Sequence, residues 1–139
     1  MEEKGKILSI DYGLKRIGVA VSDEYRIIAK PLITIINSTN SHNEIIKLIE
    51  ELKVNLVLIG IPYRNDNKND NLIKNIKEFA NQIQTATNIE IKFVDEFMTS
   101  KKAVEIMVTN KKKKSIRRQK TEVDKVAAAV ILQEYLENN

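Results

Sequence analysis

Residues 6–22 read Lys6-Ile7-Leu8-Ser9-Ile10-Asp11-Tyr12-Gly13-Leu14-Lys15-Arg16-Ile17-Gly18-Val19-Ala20-Val21-Ser22. Two short apolar runs, 6–11 and 16–22, flank a turn at Gly13, which predicts two antiparallel strands. A third run, 27–36, extends the pattern to a meander. Pro31 lies inside it and has no N–H for a ladder, so this strand is expected at a sheet edge or broken there. Gly18 in the second run marks a place where another backbone can come close. The first run ends on Asp11, and Gly13 permits a tight turn that would leave the carboxylate exposed at the strand end. An Asx turn is the simplest use of such an aspartate. The rest of the chain decides whether Asp11 does more.

Downstream, Ser41 and Glu44 have capping-box spacing, and Ile45, Ile46, Leu48, Ile49 and Leu52 mark one face of the helix that follows. Residues 54–61 form a run that is apolar apart from Asn55, expected to be a strand buried on both faces and parallel to a neighbour. A polar, asparagine-rich loop over 64–71 precedes a helix marked by Leu72, Ile73, Ile76, Phe79, Ala80 and Ile83. Residues 89–94 read as the fifth strand. Thr99 or Ser100 is placed to cap a helix carrying Ala103, Val104, Met107 and Val108. A basic linker follows, and 121–136 read as the last helix. The order βββαβαβα predicts an α/β fold, a mixed five-stranded sheet with helices on both faces, in one domain spanning 1–139.

Composition sets the class. Of 139 residues, 42% are hydrophobic and 30% charged, the balance of a soluble globular chain. No apolar run reaches the roughly 18 residues a membrane span needs. The charged start Met1-Glu2-Glu3-Lys4-Gly5 lacks a secretory h-region, so the cytoplasm is expected. There is no cysteine, which excludes disulfides and thiolate metal sites. His42, the single histidine, reads as a surface loop residue. The net charge is +4, yet Lys111, Lys112, Lys113, Lys114, Arg117, Arg118 and Lys120 all fall within ten residues, and without them the chain would stand at −3. One basic segment on a mildly acidic body suits a polyanion such as nucleic acid; a solvated loop is the plain alternative. The tyrosines and phenylalanines do not interleave with these charges, so no base-stacking platform is indicated.

Two further acidic positions resemble Asp11. Asp95-Glu96 closes the fifth strand, and Asp124 opens the last helical run. Thr121 and Asp124 also have capping-box spacing. However, Asp124 shares a helical face with Ala127, Ala128 and Ile131, at i+3, i+4 and i+7. A carboxylate facing a core is costly unless it is paired, hydrogen-bonded or metal-bound. Asp11, Glu96 and Asp124 can converge in the fold although they are distant in sequence. Three carboxylates without thiolates suit hard cations, Mg²⁺ or Mn²⁺, and such centres hydrolyse phosphate esters.

The segment from Ile10 to Asp23 closely resembles the N-terminal motif of the YqgF family, RuvC-like nucleases of the ribonuclease H-like superfamily. The resemblance continues through Ala29-Lys30-Pro31-Leu32, Gly60-Ile61-Pro62, Asp95-Glu96 and Val123-Asp124-Lys125-Val126-Ala127-Ala128. It implies a ribonuclease H-like fold and a metal-dependent nuclease. Members are described as maturing the 5′ end of pre-16S rRNA and also as Holliday junction resolvases. It further implies metal ligands at Asp11, Glu96 and Asp124, with Asp95 the alternative to Glu96. Basic residues before the last acid match Arg117, Arg118 and Lys120, and Lys15, Arg16 and Lys111 to Lys114 would join them in holding a nucleic-acid backbone, of structured RNA or branched DNA. This chain departs from the family in having Phe97 where an arginine is usual, and in lacking glycine after Pro62. Two other readings stay open. One is an actin-like ATPase, which pairs two such domains where 139 residues supply one. The other is a non-catalytic nucleic-acid-binding protein with a degenerate site.

Overall fold

The computed structural model describes residues 2–62, 70–95 and 116–138, with side chains of the last segment described from Glu122 onward. The elements are β1 (Lys6–Tyr12), β2 (Arg16–Ser22), β3 (Ala29–Ile36), α1 (Ser41–Leu52), β4 (Val54–Ile61), α2 (Asp70–Thr87), β5 (Glu90–Asp95) and α3 (Ile116–Asn138). Glu96, the helix expected after Thr99 or Ser100, and Lys111 to Lys114 lie outside the described residues.

The strands make one sheet in the order β3-β2-β1-β4-β5. The meander is antiparallel, while β1–β4 and β4–β5 are parallel, as the apolar run 54–61 implied. β3 is an edge strand. Its ladder shifts where Val19 pairs with Ile33 but Ala20 pairs with Pro31. Pro31 thus stands at a bulge on an edge, where its missing N–H costs little.

Alternation along the strands builds two cores. Leu8 and Ile10 of β1, Ile17 and Val19 of β2, and Val57, Ile59 and Ile61 of β4 meet Ile45 and Ile49 of α1 and Ile76, Phe79, Ala80 and Ile83 of α2. On the other face Ile7, Ala20, Leu56 and Leu58 meet Ala128, Ala129 and Leu132 of α3. β4 is apolar from Leu56 to Ile61, after the exposed Asn55, because both its faces are covered there. The facing residues Ala20 and Ala128 are small and fully buried, which lets α3 lie close to the sheet.

Two helix starts differ from the sequence reading. Ser41 is the first helical residue, after Asn40, which makes no side-chain cap. The Ser41 hydroxyl accepts from Ser38 N–H at 2.7 Å and donates to the Ile36 carbonyl at 3.2 Å, tying α1 to the end of β3. α3 begins at Ile116, upstream of Thr121. Thr121 therefore opens no helix, and Arg117, Arg118 and Lys120 belong to α3 rather than to a linker. Arginine, glutamine and lysine are good helix formers, so the basic run extends the helix.

Asp23 closes the β2–β3 connection. Its carboxylate accepts N–H donors from Ile28 and Ile27, each at 2.8 Å, and from Tyr25 at 3.2 Å. The Ile28 bond, joined by those of Ile27 and Tyr25, holds its pKa below the ordinary aspartate value.

Candidate active site

Ile7, Ser9 and Asp11 share one face of β1 by alternation, and Ile7 packs under α3. Asp11 therefore faces α3. It is 1% exposed, not open at the strand end as its turn suggested, because α3 covers it. Ser9 is fully buried and its hydroxyl makes no hydrogen bond with any described residue.

Gly18 stands directly opposite Asp11 in the β1–β2 ladder. α3 passes over this point. A methyl group at Gly18 would collide with the Asp124 carbonyl oxygen and crowd Lys125 N. The absence of a side chain at Gly18 is thus what sets Asp124 beside the end of β1. Asp124 is 6% exposed and lies among the buried Val123, Ala127, Ala128 and Ile131, the face its spacing indicated. The capping alternative falls away, since α3 starts upstream of Thr121.

Arg16 completes the described cluster. It opens β2 on the same face as Gly18, and its Nε donates to Asp124 Oδ2 at 2.7 Å. A charge-assisted bond of this length to a buried carboxylate is among the stronger polar contacts a protein makes. Nothing local in the sequence marked it, because the partners come from the first hairpin and the last helix. Lys15 is exposed in the β1–β2 turn, where its carbonyl accepts from Asn37 N–H at 2.9 Å. Asn37 Nδ2 also donates to the Gly13 carbonyl at 2.8 Å, which steadies the loop after Asp11.

Of the acids singled out from sequence, Asp11 and Asp124 come together. β5 turns Lys92 and Val94 toward α3, with Lys92 Nζ bonded to the Tyr135 hydroxyl at 3.3 Å. Ile91 packs in the other core, and Phe93 flanks α2 beside Lys77 and Ala80. Alternation gives Asp95, the last residue of β5, that opposite face. Among the described residues no set of three histidines, cysteines or acids is close enough to bind a metal. The pair present fits a hard divalent cation in chemistry: two buried carboxylates, oxygen donors only, on rigid elements.

The family model described as RuvX, Holliday junction resolvase, matches residues 5–138. A protein of Phocaeicola vulgatus is 39% identical over 134 residues, covering 96% of each chain. One of Chlorobium luteolum is 31% identical over 140 residues, covering 100% of this chain and 99% of its own. Both carry the name "Putative pre-16S rRNA nuclease". Among solved structures, Thermus thermophilus RuvC in complex with a Holliday junction superposes with a TM-score of 0.62 at 13% identity, covering 96% of this chain and 94% of its own. The fowlpox virus Holliday junction resolvase gives 0.58 at 17%, covering 96% and 99%. At those identities the likeness speaks for the fold. It is the ribonuclease H-like architecture of RuvC, and the chain belongs to the RuvX family, the YqgF proteins that its first motif resembles.

Proposed function

We propose that this protein is a divalent-metal-dependent nuclease that matures the 5′ end of pre-16S rRNA. The observation that carries the reading is the burial of Asp11 and Asp124 on either side of Gly18. A fold that needed only packing would place apolar side chains there, since buried carboxylates are costly. The names of the relatives support an RNA substrate.

Asp11, Asp124 and Glu96 would hold Mg²⁺ or Mn²⁺. Glu96 is preferred to Asp95 because alternation along β5 gives Asp95 the face away from α3, the face opposite to Lys92 and Val94. When bound, such ions supply an activated water and charge stabilisation for the leaving oxygen. The protein's own part is positional. The carboxylates fix the site on a strand end and a helix, and their rigid setting keeps reacting groups aligned. Lys15 and the segment 111–120 hold the phosphate backbone without reading sequence. Arg117, Arg118 and Lys120 lie on α3 within about 6–11 Å of Asp124 along the helix axis, at 1.5 Å per residue. No described helix is long and apolar enough to cross a membrane, and a protein that matures rRNA would work in the cytoplasm.

A second reading, Holliday junction resolution, is favoured by the family description and the RuvC-like fold. The two separate in one assay. The protein is incubated with a 5′-extended 16S rRNA fragment and with a four-way DNA junction, each in Mg²⁺, Mn²⁺ and EDTA. We expect RNA cleavage in either metal and none in EDTA. Cleavage of the junction alone would establish the second reading. Binding of both without cleavage would make the protein a non-catalytic nucleic-acid binder.

A further inference from the structure

We propose that Arg16 and a divalent cation are exchange partners for Asp124, so that loading of the site releases the Arg16 guanidinium toward the substrate phosphate. The inference rests on the reading of Asp124 as a metal ligand. Arg16 Nε is 2.7 Å from Asp124 Oδ2, with side-chain exposures of 32% and 9%. The guanidinium stays charged at any working pH. A cation held by a carboxylate oxygen sits about 2.0–2.1 Å from it for Mg²⁺, within a few ångströms of a guanidinium already bonded to the same carboxylate. Two positive centres so close, beside a buried group that salt screens poorly, repel each other.

One partner must give way, and the geometry decides which. Asp124 is buried, and its backbone rests on Gly18. Arg16 is the first residue of β2 and one-third exposed, so its side chain has water to move into. Once released, it presents the planar fork suited to a phosphate. Arg16 therefore serves two states in turn: counter-charge to Asp124 before loading, and a phosphate contact after it.

The test is Mn²⁺ binding by calorimetry together with thermal unfolding in EDTA, for wild type, Arg16→Met, Arg16→Lys and Asp124→Asn. Arg16→Met removes the charge and keeps an apolar stem. It is expected to melt below wild type in EDTA and yet bind Mn²⁺ on the order of ten-fold more tightly. Arg16→Lys keeps the charge, so its Mn²⁺ affinity is expected to stay near that of wild type. If Arg16→Met does not fold, Arg16→Gln replaces it and is read in the same way. Mn²⁺ affinity that falls or stays constant when the charge is removed would overturn the exchange and make Arg16 a fixed support for Asp124. Asp124→Asn separates the levels. If it binds Mn²⁺ as wild type does, the metal-ligand reading fails, and the exchange fails with it. If it loses Mn²⁺ while Arg16→Met binds no tighter, only the exchange fails.

Discussion

Gly18 carries more of the site than any charged residue, because it decides how near α3 comes to β1. Any side chain there meets the Asp124 carbonyl. Gly18→Ala is accordingly expected to push α3 outward and lower stability by about 1–3 kcal/mol, the usual cost of overpacking. Urea unfolding measures it. Unchanged stability would show that α3 does not rest on β2 at that point. Asp124 is a residue whose role the sequence half disclosed. Its spacing to Ala127, Ala128 and Ile131 placed it on a buried face, and it is there. The Arg16 contact was not legible, since a pair joined only by the tertiary fold leaves no local pattern. Asp23 gives a pH prediction. Its pKa is lowered by the Ile28, Ile27 and Tyr25 N–H groups, so the folded state holds its proton less tightly than the unfolded chain does. That contribution is complete above the ordinary aspartate value of about 3.9 and is lost as the pH falls through the lower folded value. Asp23→Asn should flatten the acid limb of a stability–pH curve. Parallel limbs for the variant and wild type would show that Asp23 adds nothing to acid stability.

Among the elements, the meander was legible because turn residues and β-rich runs alternate over short distances, and Pro31 pointed to the edge that β3 occupies. The run 54–61 matches β4 residue for residue, because burial on both faces leaves an apolar signature interrupted at the exposed Asn55. α3 starts upstream of the point its sequence signals. Thr121 and Asp124 imitate a capping box inside a helix that already runs from Ile116. A charge run reads as a loop even when its residues are also good helix formers. That reassignment sharpens what the basic segment does. Arg117, Arg118 and Lys120 ride on the element that carries Asp124, and Lys111 to Lys114 precede them in sequence. Neutralising Lys111 to Lys114 is expected to weaken binding to RNA and DNA alike. The log–log salt slope should flatten by about 0.7–0.9 for each phosphate that the variant no longer neutralises. Fluorescence anisotropy across a salt series reads both effects. An unchanged slope would show these lysines to be spectators.

At the scale of the molecule, the site joins the two ends of the chain. Asp11 comes from the first strand and Asp124 from the last helix, and the sheet brings them to one face. The fold was legible in the order of elements and in the first motif. Glu96, proposed as the third carboxylate, lies outside the described residues, so its place in the site rests on family resemblance. The buried carboxylates are proposed to serve metal-dependent phosphodiester cleavage. The most direct measurement compares cleavage of a 5′-extended 16S rRNA fragment in Mg²⁺ by wild type and by Asp11→Asn, with circular dichroism and melting recorded for both. Asparagine keeps the shape of the side chain and removes its charge. We predict a folded variant whose cleavage falls by roughly 100-fold or more. Cleavage at the wild-type rate by the folded Asp11→Asn protein would contradict the claim.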